Sequence, residues 1–272
     1  MAGERKGGDT EKSGTLSAMI LMVVVVLIGA YSVAYGLQTL VWIEARRWAS
    51  LNPWLSDVPM PLPGKVATAP LPPEPAGKLA HPQTTQLRSY DYEFSVPWTG
   101  KPLATALHIG TEFRFTSGQV VVFFDPETQL DTLRALKSSA PAEYQKFRSV
   151  FREQSIESNY ALYQAIYAAS PAQASPFLSG DAAQRINVLL LWKLSFGFDQ
   201  QPGIYSFDFG RNRGFQFGNP GNARPVAVRV FDDQDRQFRF FFTVAAGSHA
   251  RITQDAINTA VQSLQMIPIM ER

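Results

Sequence analysis

The residues of this sequence best suited to binding chemistry are arginines that alternate with aromatic rings near the C-terminus. Six of them fall within thirty residues: Arg211, Arg213, Arg224, Arg229, Arg236 and Arg239. From this group we select Arg213, Arg229, Arg239 and Phe241 as a candidate interaction surface, called here the arginine–aromatic set. Such a surface suits an anionic partner or lipid headgroups, although arginines at alternate strand positions are also typical of the solvated face of a half-buried sheet.

One segment within this region, Arg213-Gly-Phe-Gln-Phe217, partly resembles the strand on which RNA-recognition domains stack bases. Gly218 and Pro220 occupy positions where that pattern has a valine and a further aromatic ring. We therefore expect a short strand with buried Phe215 and Phe217, and no nucleic-acid partner.

Other groups that could do chemistry are sparse. Asp232, Asp233 and Asp235 lack the glycine and the terminal glutamate of a calcium loop, so we expect a hairpin turn whose aspartates bond their own backbone. Three histidines leave little material for a metal cluster, and we predict no metal and no cofactor. A hydrolase with a non-local active site using His108 or His249 stays an alternative, as does a small-ligand site on the Phe-rich last hairpins.

The absence of cysteine excludes disulfide scaffolds, thiolate metal sites and thiol catalysis. The net charge is only +2, so no overall field favours a nucleic-acid partner. Hydrophobic residues at 45% exclude a disordered chain.

The N-terminal part of the chain is apolar. Ser13 to Ile43 is a run of 31 residues without an acidic or basic side chain, and its centre, residues 18–37, is long enough to cross a bilayer as a helix. We predict a polar tail over 1–12 and a transmembrane helix over 13–44, with a signal peptide cleaved after Ala34 as the alternative. The basic residues before the helix favour a cytoplasmic N-terminus and a C-terminal domain in the periplasm or outside the cell.

Prolines dominate the next segment. Nine of the nineteen lie between Pro53 and Pro82, where they prevent helix and central strand. We predict a semi-rigid Pro-rich linker over 45–85 that holds the following domain away from the membrane.

From about residue 86 to 270 the patterns predict one α+β domain with a mainly antiparallel sheet and helices packed on it. Alternation indicates a strand at 90–96 and hairpins over 112–125, 204–217 and 225–244. Helices are predicted to begin near Asp125, Pro141, Ser158, Asp181 and Thr253, where capping residues or proline precede helical patterns.

The two ends of this domain, the strand Tyr90–Trp98 and the closing hairpin with the helix 253–264, resemble the PsbP/Mog1-like α-β-α sandwich domains. The resemblance covers about forty residues. It implies an accessory or assembly role rather than catalysis.

The expected function is therefore that of a membrane-anchored interaction domain outside the cytoplasm. We expect a non-catalytic accessory or assembly subunit of an envelope or membrane complex, with the lipid bilayer and a protein of unknown identity as partners.

Overall fold

An eight-stranded, mainly antiparallel sheet forms the centre of the structure. The structure is a computed structural model, and it describes residues 9–62, 84–126, 132–139, 141–151, 156–195, 203–221 and 224–267. The strands are β1 (Met60–Pro61), β2 (Thr85–Ser89), β3 (Tyr92–Val96), β4 (Leu103–Leu107), β5 (Gly110–Arg114), β6 (Gln119–Phe124), β7 (Ile204–Asp208), β8 (Arg213–Phe217), β9 (Val226–Phe231), β10 (Gln237–Val244) and β11 (Gln265–Met266). The helices are α1 (Asp9–Leu51), α2 (Thr132–Ser139), α3 (Pro141–Val150), α4 (Asn159–Ala168), α5 (Gly180–Ser195) and α6 (Gln254–Ser263). The α+β class and the mainly antiparallel sheet are confirmed.

The strand order in the large sheet is β1-β7-β8-β9-β10-β6-β5-β4, and of the strand pairs described only the short β1–β7 pair is parallel. The predicted hairpins are confirmed as the pairs β5–β6, β7–β8 and β9–β10. A second sheet, in the order β11-β3-β2, contains the strand predicted at 90–96. Strands β2 and β4 were not predicted.

Hydrophobic side chains cover both faces of the large sheet. On one face, Phe238, Phe240 and Phe242 of β10 pack with Phe94 of the small sheet and Ile257 of α6. On the other face, Phe215 and Phe231 pack beneath α4 and α5. The alternation of buried and half-buried residues along β10 places Arg239, Phe241 and Thr243 on this second face, as its period of two predicts.

Capping side chains begin several helices where the sequence places them. The Ser158 hydroxyl accepts from the Ala161 amide at 3.1 Å, and that of Thr253 accepts from the Ala256 amide at 3.2 Å. For α5 the structure differs, because the Ser179 hydroxyl accepts from the Ala182 amide at 3.3 Å and Asp181 lies in the first turn. Residues 127–131, where the helix after Asp125 was predicted to begin, lie outside the described residues.

The predicted boundary between membrane helix and linker differs most from the structure. Helix α1 continues to Leu51 instead of ending at 44, and a 3-10 turn (Pro53–Ser56) and β1 follow it within the fold. Ala45 and Leu55 are fully buried in the core beneath α5. Residues 45–62 therefore belong to the folded unit, because apolar side chains among them pack against a hydrophobic face formed by later parts of the chain. The number of prolines in this segment gives no indication of that contact. The remainder of the predicted linker, 63–83, lies outside the described residues.

Among the residues described, no single helix has both the length and the apolar composition of a membrane span. Residues 24–32 and 34–51 satisfy that criterion only as a pair, with a bend of 71° between them.

Candidate interaction surfaces

Two members of the arginine–aromatic set lie beneath helix α4. Arg213 on β8 and Arg229 on β9 each place the guanidinium carbon 4.2 Å from the centre of a tyrosine ring, Tyr160 and Tyr163 respectively. Arg229 is only 3% exposed. These arginines therefore help to hold α4 on the sheet through cation–π contacts.

The other two members, Arg239 and Phe241, lie on the neighbouring strand β10. Arg239 pairs with Arg229 across β9 and β10, and its guanidinium is 5.5 Å from the Phe241 ring. Phe241 also meets Phe124 of β6 edge to face, with centroids 5.6 Å apart. Both residues are half-buried. The four residues share one sheet face, but Arg213 and Arg229 are engaged by tyrosines of α4 and Arg229 is buried, so the four do not form one continuous exposed surface.

Tyr160 lies in a mixed electrostatic environment on α4. Burial raises the pKa of its phenol, the Arg213 guanidinium opposes this shift, and the Asp208 carboxylate adds to it. The phenol is therefore protonated at neutral pH, and its ring makes the cation–π contact with the Arg213 guanidinium.

The two phenylalanines of the RNA-recognition-like segment point into the core. Phe215 and Phe217 are buried as expected, and their rings meet the Tyr167 ring at 5.0 Å. Rings in this position stabilise the contact between helix and sheet and are not accessible to bases.

The aspartates of the β9–β10 turn bond backbone amides. Asp232 accepts from the Gln234 and Arg236 amides at 3.0 and 2.9 Å, which confirms the predicted self-bonded turn. Asp235, at a positive φ of 59°, instead reaches the first turn of α4. Its carboxylate accepts from the Asn159 and Tyr160 amides at 2.5 and 3.0 Å. Over the described residues, no group of three His, Asp or Glu side chains could hold a metal ion.

The two histidines of the hydrolase alternative are exposed and lie in different loops. His108 is in the β4–β5 turn and His249 is in the segment between β10 and α6. A cavity of about 230 Å³ is lined by Glu93, Arg211 and Gln262, among others, and by neither histidine. Glu93 accepts from Gln86 at 2.7 Å and from Gln265 at 2.8 Å, so its carboxylate is occupied by amides. Neither histidine has a nucleophile or a carboxylate arranged around it in the described contacts.

The Phe-rich face of the last hairpins is closed. The Phe240 ring lies 5.0 Å from those of Phe94 and Phe123, and all three side chains are at most 1% exposed. Around Phe240, therefore, the described side chains are packed ring against ring.

Among the residues that the structure describes, strand β4 is an edge of the large sheet with no further strand beside it, and the sequence interpretation missed it. It pairs with β5 on one side, and Leu103, Ala104, Thr105 and Ala106 are all exposed. Leu103 is 68% exposed. The strand carries no charge or proline that would discourage pairing with another chain. A short uncharged run between Pro102 and the turn at His108 is the local signal that could have revealed it.

The apolar surface of α1 leads directly into the folded unit. Leu27, Leu37 and Leu40 are exposed, whereas Val41 and Ala45 are buried against the domain. The chain therefore has an exposed apolar helix whose C-terminal part is packed on α5 rather than connected to it by a spacer.

Lys193 fastens this junction and was not singled out from the sequence. It is fully buried, and its ammonium group donates to the Leu55, Asp57, Tyr167 and Ala169 carbonyls at 3.0, 2.5, 3.0 and 2.7 Å. Two of these carbonyls follow α1 and two lie at the C-terminus of α4, where helix carbonyls lack intrahelical partners. The local sequence feature that could have indicated this buried ammonium group is a lysine within the apolar run 188–194.

In comparisons with known proteins, no family model matches the chain, and no curated protein matches it either.

Proposed function

We propose that this protein is a membrane-anchored interaction domain, an accessory or assembly subunit of an envelope or membrane complex. The open edge strand β4 is the observation that carries the proposal. The N-terminus is cytoplasmic and the folded domain lies outside the cytoplasm, either periplasmic or extracellular.

The anchor is supported by charge and exposure. The run from Ser13 to Ile43 has no acidic or basic side chain, and the side chains described on α1 between Val24 and Leu40 are largely exposed. Apolar helix surface of this length is costly in water and favourable in lipid. The bend between 32 and 34 is compatible with a helix that leaves the bilayer and then follows the domain.

The position of the domain follows from the way α1 is attached. Since α1 packs on α5 without an intervening spacer, the domain sits at the membrane surface rather than at the end of an extended arm. This revises the role expected for the prolines.

The partner binds by adding a strand to β4. In a hairpin with a two-residue turn, the pair flanking the turn is hydrogen-bonded and pairs alternate from there. Leu107 and Gly110 flank this turn, so we expect Ala104 and Ala106 to direct their N–H and C=O groups outward. An extended, uncharged segment of another protein satisfies these groups while its side chains cover Leu103.

The PsbP/Mog1-like resemblance belongs to the same proposal. Helices α4 and α5 pack on one face of the large sheet, and α6 packs with the small sheet on the other. An accessory role would be in keeping with that resemblance.

The test is site-specific photo-crosslinking of the full chain in membranes of its host. A crosslinking amino acid at Leu103 should yield a discrete adduct, whereas the same group at Tyr90, equally exposed at 67%, should not. Ala106→Pro removes an outward amide and should abolish the adduct, and Ala106→Val keeps that amide and should retain it.

Two results would refute the proposal. One is a chain that leaves the membrane fraction after an alkaline wash. The other is a detergent-solubilised chain that purifies as a lone monomer with the same crosslinking pattern at Leu103 and Tyr90.

A further inference from the structure

The loop between α4 and α5 places an aromatic side chain beside the membrane helix. Phe177 is 75% exposed, and its ring centre lies 6.3 Å from that of Tyr35, which in turn lies 5.5 Å from the ring of Tyr31. Tyr31 and Tyr35 are themselves about 40% exposed. Three aromatic rings from two separate parts of the chain therefore form one exposed cluster.

The loop is held in this position by its own bonds. Ser170 and Gln173 form a capping box around the 3-10 turn Pro171–Gln173, and the buried Ala174 follows it. The Ser175 hydroxyl accepts from the Phe177 amide at 3.2 Å. Phe177 is thus displayed by an ordered turn, although burying so large a side chain in the core would have been favourable.

The charge pattern around the loop matches that of the membrane helix. From Ser158 to Gly180 the chain has 23 residues without a charged side chain, and Asp181 ends this run. Tyr35 lies two residues before the end of the apolar centre, 18–37, so the cluster is at the level where hydrocarbon gives way to headgroups. Tyr and Trp side chains are enriched at this level of the bilayer, and Phe is common on the apolar face of segments that lie in the interface.

We propose that the loop 174–179 is a second membrane contact, with Phe177 inserted into the interfacial zone of the same bilayer that holds α1. The inference rests on the proposed membrane anchor. Together the two contacts fix the orientation of the domain, since a single helix alone leaves it free to rotate about the helix axis. The edge strand β4 is then presented at a constant angle and distance from the lipid surface.

The absence of cysteine allows a direct test with single labels. The full chain carrying Phe177→Cys, Leu27→Cys or Ile109→Cys is labelled with an environment-sensitive fluorophore and reconstituted into vesicles of phosphatidylcholine and phosphatidylglycerol. Ile109 is the control because it is also exposed, at 48%, and lies by β4, at the edge of the large sheet opposite the strand β1 that follows α1. Spin labels attached to lipid headgroups or chain ends, and aqueous iodide, serve as quenchers.

We expect the label at 177 to be quenched by the headgroup spin label and protected from iodide, and the label at 109 to show the opposite behaviour. The label at 27 should respond to the chain-end quencher. Iodide quenching at 177 as strong as at 109, with normal quenching at 27, would overturn the loop contact and leave the anchor intact. Failure of the chain-end quencher at 27 would overturn the anchor, and the loop contact with it.

Discussion

Replacing Lys193 by Met should separate the two segments that its ammonium group joins. Met preserves most of the length and apolar surface of the lysine stem, while the four carbonyls around Nζ lose their donor. Three N–H groups at about 1.5–3 kcal/mol per bond to a charged donor contribute about 4.5–9 kcal/mol.

The desolvation of the ammonium group opposes this contribution. Burial lowers the pKa of Lys193 from 10.5 to about 8, and the nearby Asp57 carboxylate partly counteracts the shift. Such a shift corresponds to about 3 kcal/mol against the charged form. The bonds outweigh this cost, so Lys193→Met should lower the free energy of unfolding by about 2–6 kcal/mol at pH 7.

The pH dependence has a definite sign. Between about pH 8 and 10.5 the folded chain has released the Lys193 proton while the unfolded chain still holds it. Stability rises with pH wherever the unfolded state binds more protons, so wild type should gain up to about 3 kcal/mol over Lys193→Met across this window. Below pH 8 the difference between the two proteins should be constant.

The assay is denaturant unfolding of the full chain in detergent, followed by near-UV circular dichroism from pH 7 to 10.5. Lys101→Met is the matched control because Lys101 is exposed, and it should change stability by less than about 0.5 kcal/mol. The reasoning is refuted if Lys193→Met is as stable as the control at pH 7, or if its deficit shrinks as the pH rises through 8.

Three further substitutions test the packing described above. Asp235→Ala removes the acceptor for the Asn159 and Tyr160 amides and should lower the free energy of unfolding by about 1–2 kcal/mol in the same denaturant assay. Asp233 lies in the same turn but is exposed, so Asp233→Ala should leave the free energy of unfolding almost unchanged. Phe240→Ala should lower the free energy of unfolding by about 3–5 kcal/mol, because it leaves a cavity between Phe94 and Phe123. Thermal unfolding measures the effect, with Phe177→Ala as the exposed control. Equal melting temperatures for the two variants would contradict this prediction. Gly214→Ala places a Cβ 2.0 Å from the Arg229 carbonyl oxygen, so β8 and β9 must separate. Amide hydrogen exchange in β8 should therefore become faster. An unchanged exchange rate would argue against this close approach of the two strands.

Local patterns were sufficient for much of the fold. The hairpins β5–β6, β7–β8 and β9–β10 were predictable because alternation and short turns act between neighbours in sequence. The starts of α4 and α6 were predictable because Ser158 and Thr253 bond amides only three residues away. Strand β4 was missed because its short run of Leu, Ala and Thr has no apolar alternation.

The candidate site was less accessible to the same reasoning. The period of β10 placed Arg239 and Phe241 on one face, but only the packing of α4 shows that Arg229 is beneath a helix. The proline count predicted a linker over 45–85, yet Ala45 and Leu55 are buried because residues far along the chain supply a hydrophobic face. The local sequence pattern indicates whether a residue prefers to be buried. It does not indicate which residues bury it, because those come from another part of the chain.

From the sequence alone follow the uncharged apolar run over 13–43, the absence of cysteine and the α+β class, because composition and short-range periodicity are properties of consecutive residues. The tertiary structure alone decided that Lys193 joins α1 to the domain, that Asp235 caps α4 from a distant turn, and that β4 is an edge strand of the sheet as far as the chain is described. Each of these depends on contacts between segments separated by at least about seventy residues or on the final strand order. Such contacts form only when the whole core closes, since the cost of ordering distant segments is met by their joint burial.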